Sequence, residues 1–217
     1  SGLGLSGYDR EKLKRIQNRI SELSLKFENN ISSYSDTLFI PHNMITGLPD
    51  DYKENHLQAD GEYAIDLSYP SFYPFMEYAE SDSLRKLLRY MFLNKGMPQN
   101  VSILSEILAN RKSLSELLNY PSFSALIIEQ GMAKSTEAVW KFENDLIEKI
   151  QQKANWDTEQ LLQLKYDTIE GNGKTITDWQ KHYYENQLLL KKYRVDSEQV
   201  KQYFQVDNVI KGLFAIS

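Results

Sequence analysis

The sequence holds three imidazoles, His42, His56 and His182. None is followed by Glu, and no two lie at the i, i+4 spacing that brings two ring nitrogens to one helix face around zinc. His42 sits beside Pro41, His56 in a polar stretch and His182 among aromatic residues, so each reads as a surface or half-buried structural residue. Cysteine is absent. That removes disulfides, thiolate metal sites and thiol nucleophiles together. Glu170-Gly171-Asn172-Gly173-Lys174-Thr175 carries the Gly-Lys-Thr tail of a phosphate loop, but Thr168 stands where the motif needs its first glycine and no strand leads in. It reads as a solvated turn between helices. Among the 30 carboxylates, pairs such as Asp145 and Glu148 read as solvated salt-bridge faces. No catalytic, cofactor-binding or metal-ligating residue is assigned in this chain.

The elements that would position any such group need a core, and 41% hydrophobic residues over 217 positions suffice for one large or two small domains. Net charge is −5. The one basic cluster, Lys191, Lys192 and Arg194, falls at the end of a predicted helix, where cations suit the dipole. Nucleic acid is therefore not expected as a partner. No apolar run approaches the ~20 residues of a membrane span, so no membrane partner is expected either. The opening Ser1–Gly7 lacks a charged and an apolar region and is not expected to be a signal peptide. Asn30-Ile31-Ser32 and Asn100-Val101-Ser102 match the glycosylation pattern. The 14 tyrosines and three tryptophans suit the walls of a wet cleft and equally suit half-buried helix faces.

Periodicity predicts helices along most of the chain. Leu13, Ile16, Ile20, Leu23 and Phe27 form one stripe of a helix over Asp9–Ser32. Prolines 41, 49, 70 and 74 break the next stretch, where Thr37–Ile40 and Tyr63–Leu67 read as strands, the second with Tyr63, Ile65 and Leu67 on one face. Pro49 opens a short helix between them. Ser81 caps a helix with Leu84, Leu87, Leu88, Met91 and Phe92. A helix from Gln99 to Leu118 is expected to bury Val101, Leu104, Leu108 and Leu118, and a shorter one runs over Ser122–Gln130. Ser135 opens another, with Val139, Phe142, Leu146 and Ile150. Capping boxes are read at Asp157 with Gln160, Thr177 with Gln180, and Asp196 with Gln199, and Gly171–Gly173 is read as a loop. The fold class is mainly α with a two-stranded β ribbon. The chain is expected to be one unit over 1–217, with a sub-boundary near 33–80.

The order of local patterns resembles the zinc metallopeptidase family of thimet oligopeptidase, oligopeptidase A and the bacterial peptidyl-dipeptidases. The first helix ends in Phe27-Glu28-Asn29-Asn30, similar to the family's Phe-x-x-Asn, and Ile45-Thr46-Gly47-Leu48-Pro49 is similar to its Leu-x-Gly-Leu-Pro. Pro70-Ser71-Phe72-Tyr73-Pro74-Phe75-Met76 resembles its Pro-x-Tyr-x-Pro-Met, followed by Leu84-Arg85. Ile107–Arg111 and Leu117–Tyr120 resemble Ile-Leu-x-Leu-Arg and Leu-Leu-Gly-Tyr, with Asn119 in place of the glycine. Met132-Ala133, Asp178-Trp179 with Tyr183-Tyr184, Tyr203-Phe204 and Gly212-Leu213-Phe214 continue the order. Trp and Asp are reversed at 178–179, and Gln205 stands where Pro is common.

The resemblance implies a multi-helix segment of a channel fold in a peptidase that hydrolyses short, unstructured peptides. In the family, a His-Glu-x-x-His helix and a later Glu hold zinc, and zinc-bound water attacks the peptide carbonyl with Glu as base. Those residues follow the Gly-Leu-Phe segment and are absent here, so the implied role is channel wall, inactive alone, with zinc and short peptides belonging to a parent protein whose compartment the sequence does not give. Helices cut from their partners would expose apolar stripes, which predicts self-association or a loosely ordered first helix and C terminus. The rival reading is a non-catalytic helical module that binds peptides or proteins.

Overall fold

The computed structural model describes residues 4–167 and 174–216. The phosphate-loop-like stretch at 170–173 and the glycine loop therefore lie outside the described residues, apart from Lys174 and Thr175. The elements, in order, are α1 (Gly7–Ser32), β1 (Thr37–Ile40), a 3₁₀ turn (His42–Met44), α2 (Asp50–His56), β2 (Tyr63–Asp66), α3 (Tyr69–Tyr78), α4 (Asp82–Leu93), α5 (Gln99–Leu117), α6 (Phe123–Gln130), α7 (Thr136–Tyr166), α8 (Asp178–Leu188), a π turn (Leu189–Tyr193), α9 (Ser197–Lys201) and α10 (Val206–Ile216). The chain is mainly α with a small antiparallel ribbon. It divides into two compact units, each made of two separated stretches: residues up to Ser35 with Leu93–Lys153, and Asp36–Phe92 with the chain from Ala154 on.

In the first unit α5 runs antiparallel to α1. Leu13 and Ile16 near the start of α1 meet Leu114 near the end of α5, together with Leu126 of α6, while Leu23 meets Ile103 and Ile107. Leu23 is 3% exposed, and burial of such a side chain stabilises by about 1.5–3 kcal/mol. α1 starts two residues before the expected Asp9 because the Ser6 hydroxyl accepts the Asp9 N–H, a polar cap on an otherwise open helix end. Ser122 and Ser135 cap α6 and α7 in the same way, accepting from Ala125 and Ala138.

Two expectations are corrected. α5 buries Ile103, Ile107 and Leu114, whereas Val101, Leu104 and Leu108 are exposed and Leu118 is half-buried. The helix carries two apolar stripes offset by one position, and periodicity does not choose between them; the contact with Leu23 and Phe27 of α1 does. Asp157 is not an N-cap, since α7 continues through it as one 31-residue helix. The Thr158 hydroxyl donates instead to the Ala154 carbonyl one turn back at 2.9 Å, a bond a helix interior permits.

In the second unit β1 and β2 pair antiparallel, with Leu38 opposite Ile65 and Ile40 opposite Tyr63. Tyr63, Ile65 and Leu67 are buried on one face as the alternation requires, though β2 closes at Asp66. Beneath the ribbon α3 buries Phe72, Phe75 and Met76, and Phe72 stacks on Phe92 at 3.9 Å. Gly47 fixes the turn after β1: its φ is +84°, and a Cβ there would lie 2.4 Å from the Tyr78 carbonyl.

Candidate functional site

Short helices and the N-terminal turn of α3 shape a polar cleft in the second unit. Pro49 and two acidic residues open α2, which presents Tyr52 and His56 one turn apart. Tyr52 is buried, and its ring stacks on that of His56 with centroids 4.0 Å apart. Both reach the same residue of α3. The Tyr52 hydroxyl donates to the Ser71 carbonyl at 2.6 Å, and His56 Nε2 lies 3.0 Å from Ser71 Oγ. Pro70, Pro74 and Asn55 extend the wall, and Asp51, Glu198 and Lys201 form the rim of a cavity of about 280 Å³.

A serine oxygen 3.0 Å from an imidazole invites a nucleophile–base reading. The rest of the arrangement answers it. His56 Nδ1 lies 2.7 Å from the Tyr52 carbonyl, an oxygen that only accepts, so Nδ1 carries the proton and Nε2 accepts from Ser71. Both ring nitrogens are thereby held. Ser71 is 6% exposed, too covered to meet a substrate carbonyl. Burial, with Asp66 nearby, pushes the Tyr52 phenol far up, which keeps it a hydrogen-bond donor. The Asp66 carboxyl is held below its ordinary range by the Ser68 hydroxyl first, against the opposing effect of burial, with help from the Ser68 amide. On the rim, Lys201 Nζ meets Asp51 at 2.7 Å and also pairs with Glu198. The Asp51 hydrogen bond, with that of Glu198, raises the lysine to about 12. The cleft is therefore a polar clamp with its charges already matched, suited to positioning chain rather than to attack.

A second polar cluster joins the starts of α4 and α8. Arg85, 1% exposed, donates to the carbonyls of Ala79 and Glu80 at 2.5 and 3.0 Å and pairs with Asp82 at 2.9 Å. Its guanidinium lies 4.1 Å from the Tyr183 ring centroid. Asp82 also accepts from Trp179 Nε1 and Gln180 Nε2, each at 3.0 Å. Lys165, 5% exposed, donates to Gln180 at 2.9 Å and to the Thr175 carbonyl at 2.8 Å. Burial alone would raise Asp82, but Trp179 and Gln180, with Arg85, outweigh it and hold the carboxyl low. At the edge Arg89 holds Asp178 through two bonds, at 2.5 and 3.2 Å. The Asp178-Trp179 dipeptide thus works through both side chains.

The sequence profile of peptidase family M3 matches residues 75–217, more than half of the chain, including both helices of this cluster. The chain belongs to peptidase family M3. It is 31% identical to a thimet-like oligopeptidase of Dictyostelium discoideum, over 99% of this chain and 33% of that protein. It is 28% identical to saccharolysin of Saccharomyces cerevisiae, over 100% of this chain and 32% of that protein. Against oligopeptidase A of Escherichia coli the identity is 24%, over 100% of this chain and 34% of the other. The chain spans about a third of the length of the curated relatives it matches.

Two features take on meaning within family M3. Asn119, where the family resemblance has glycine, has φ +59°, and the next residue's N–H reaches back to the Ser115 carbonyl at 2.9 Å. The α5–α6 turn needs a left-handed residue, which glycine takes freely and asparagine better than other side chains. The metal that the family implies has no fitting donor set here: among the described residues no group of three or more His, Cys, Asp or Glu side chains could hold an ion. His42 Nδ1 faces the Tyr63 hydroxyl at 3.1 Å, His56 is bound as described, and His182 packs edge-on to Tyr73 beside Glu185. No reaction step is routed through these residues. The His56–Ser71 pair had no signal in sequence, since fifteen positions and a β-strand separate partners that only the α2–α3 packing unites.

Proposed function

We propose that this chain forms a non-catalytic part of a zinc-dependent oligopeptidase, with residues 1–217 acting as one helical piece of the wall that admits short unstructured peptides. The observation that carries the reading is co-linearity: alignments to relatives named as oligopeptidases run through 99–100% of this chain while spanning about a third of theirs. Exposed apolar helix faces support it. Val206, Val209, Ile210, Leu213 and Phe214 recur at the three- and four-residue spacing of one stripe on α10, each 45% exposed or more. On α7, Trp140, Phe142, Ile147 and Ile150 are at least half exposed. Such faces mark surfaces built to be covered. In isolation the chain self-associates through them, and light scattering that finds only monomer would count against this part.

The deciding experiment incubates the chain with a short quenched fluorescent peptide, with zinc and with a chelator. The chain alone gives no chelator-sensitive cleavage, and the longest reading frame that contains it does. Chelator-sensitive cleavage by the chain alone overturns the division of labour. None from the longer polypeptide overturns the peptidase reading.

A further inference from the structure

In the first unit the α5–α6 turn encloses a cleft of about 420 Å³, walled by Leu108, Arg111, Ser115, Pro121, Ser122 and Phe123. That volume lies in the range of small-ligand sites. Arg111 is its distinctive group. The guanidinium is half-buried, with its carbon 5.0 Å from the centroid of the Phe123 ring. Its Nε is sealed from solvent with no acceptor, and among the described residues no carboxylate pairs with it. The neighbouring Lys112 pairs with Glu116 at 3.8 Å on the exposed rim, so the net charge left in the cleft is that of Arg111. A guanidinium presents five donors in a planar fork that matches the two oxygens of a carboxylate. Here the Phe123 ring flanks the fork, and the guanidinium borders the cleft without a carboxylate partner among the described residues.

The other walls narrow the ligand. Ser122 accepts the Ala125 N–H at 3.0 Å, which leaves its own hydroxyl proton for a partner. The start of α6 adds the positive end of a helix to the same side. Leu108, Pro121 and Phe123 offer apolar surface beside these donors. A single unmatched cation suits a monoanion, since a phosphate dianion draws more donors. We infer that this cleft binds a carboxylate carried next to an apolar side chain, the chemistry of the C-terminal residue of a short peptide. The inference rests on the cleft and not on the peptidase reading, so either can fail without the other.

The test is calorimetric titration of the full 217-residue chain at low salt with three probes: acetyl-Ala-Leu as the free acid, the same dipeptide as its C-terminal amide, and inorganic phosphate. The free acid binds, the amide binds about tenfold more weakly or less, and phosphate does not displace the acid at equal concentration. Arg111→Met lowers acid affinity to the amide's level with an unchanged far-UV spectrum, and Arg111→Lys retains part. Equal binding of acid and amide, no binding of the acid at millimolar concentration, or a folded Arg111→Met chain with undiminished affinity each overturns the site. Displacement by phosphate as effective as by the acid overturns the carboxylate assignment. The acid–amide comparison needs no variant, so it decides even where Arg111→Met fails to fold.

Discussion

The side-chain amide of Asn30 donates to the side-chain carbonyl of Asn100 at 2.8 Å, and Asn100 in turn donates to the Phe27 carbonyl at 3.0 Å. These are the two asparagines of the glycosylation-like triplets, and they join the end of α1 to the start of α5. Asn100 is 4% exposed, so this amide serves the fold and is closed to a glycan. Asn100→Leu strands a backbone carbonyl and an amide, each at the cost of its lost hydration. The expected destabilisation is about 2–3 kcal/mol, read as a lowered midpoint of urea unfolding with an unchanged slope.

Arg85 carries a larger penalty. Truncating it to Met leaves Asp82 and two backbone carbonyls without their charged donor, and breaking one side of a buried pair costs about 3–5 kcal/mol. Circular dichroism of thermal unfolding measures it.

Asp82 also sets an acid limit. Its folded carboxyl is lowered, so the folded state favours the ionised form. That stabilisation is complete above the ordinary aspartate range near 3.8 and fades as pH falls through the lower folded value. Asp82→Asn is therefore destabilising near neutrality, and its stability falls less on acidification than that of the unaltered chain. Urea midpoints at pH 7 and below pH 4 check the sign.

At Asn119 the backbone is left-handed with φ +59°. Asn119→Gly relieves that conformation and stabilises the turn by about 0.5 kcal/mol, while Asn119→Val adds β-branched crowding and costs about 1–2 kcal/mol. Paired thermal melts show the two shifts with opposite signs.

Ser71 is a clamp rather than a nucleophile. Ser71→Ala removes the partner of His56 Nε2 and destabilises by about 1 kcal/mol, measurable by urea unfolding. A fluorophosphonate probe leaves the folded chain unlabelled at Ser71 by mass spectrometry, and labelling there would reverse the reading.

Helix existence was legible in the sequence wherever one apolar stripe stood against polar residues and a Ser side chain marked the start, as at Ser122 and Ser135. The ribbon was legible because Tyr63, Ile65 and Leu67 keep strict alternation. What failed was the choice of buried face on α5, where two stripes compete and only the docking of α1 decides. The apparent cap at Asp157 failed because a capping signature is also acceptable sequence inside a helix with nothing to break it. The polar cleft was illegible for another reason: Tyr52 and His56 share α2, but Ser71 belongs to α3 and Lys201 to α9, and no local spacing records the meeting of the three helices. Family resemblance reached the membership of the chain and, through Pro70, Ser71 and Pro74, one wall of that cleft, but not Tyr52, His56 or Lys201.

Each of the two units is assembled from two stretches separated in sequence, 1–35 with 93–153 and 36–92 with 154–217. A growing polypeptide emerging from the ribosome at ~5–20 residues per second therefore presents α1 well before α5, its partner along the core, has been made. The ribbon and α3 likewise wait for α8, whose Asn186 closes on the Glu77 carbonyl at 3.2 Å. Neither unit can finish during synthesis of the first half, and their apolar faces stay bare in the interval. The topology thus orders completion: the first unit closes once Lys153 has been made, and the second only when the chain beyond Ala154 has followed.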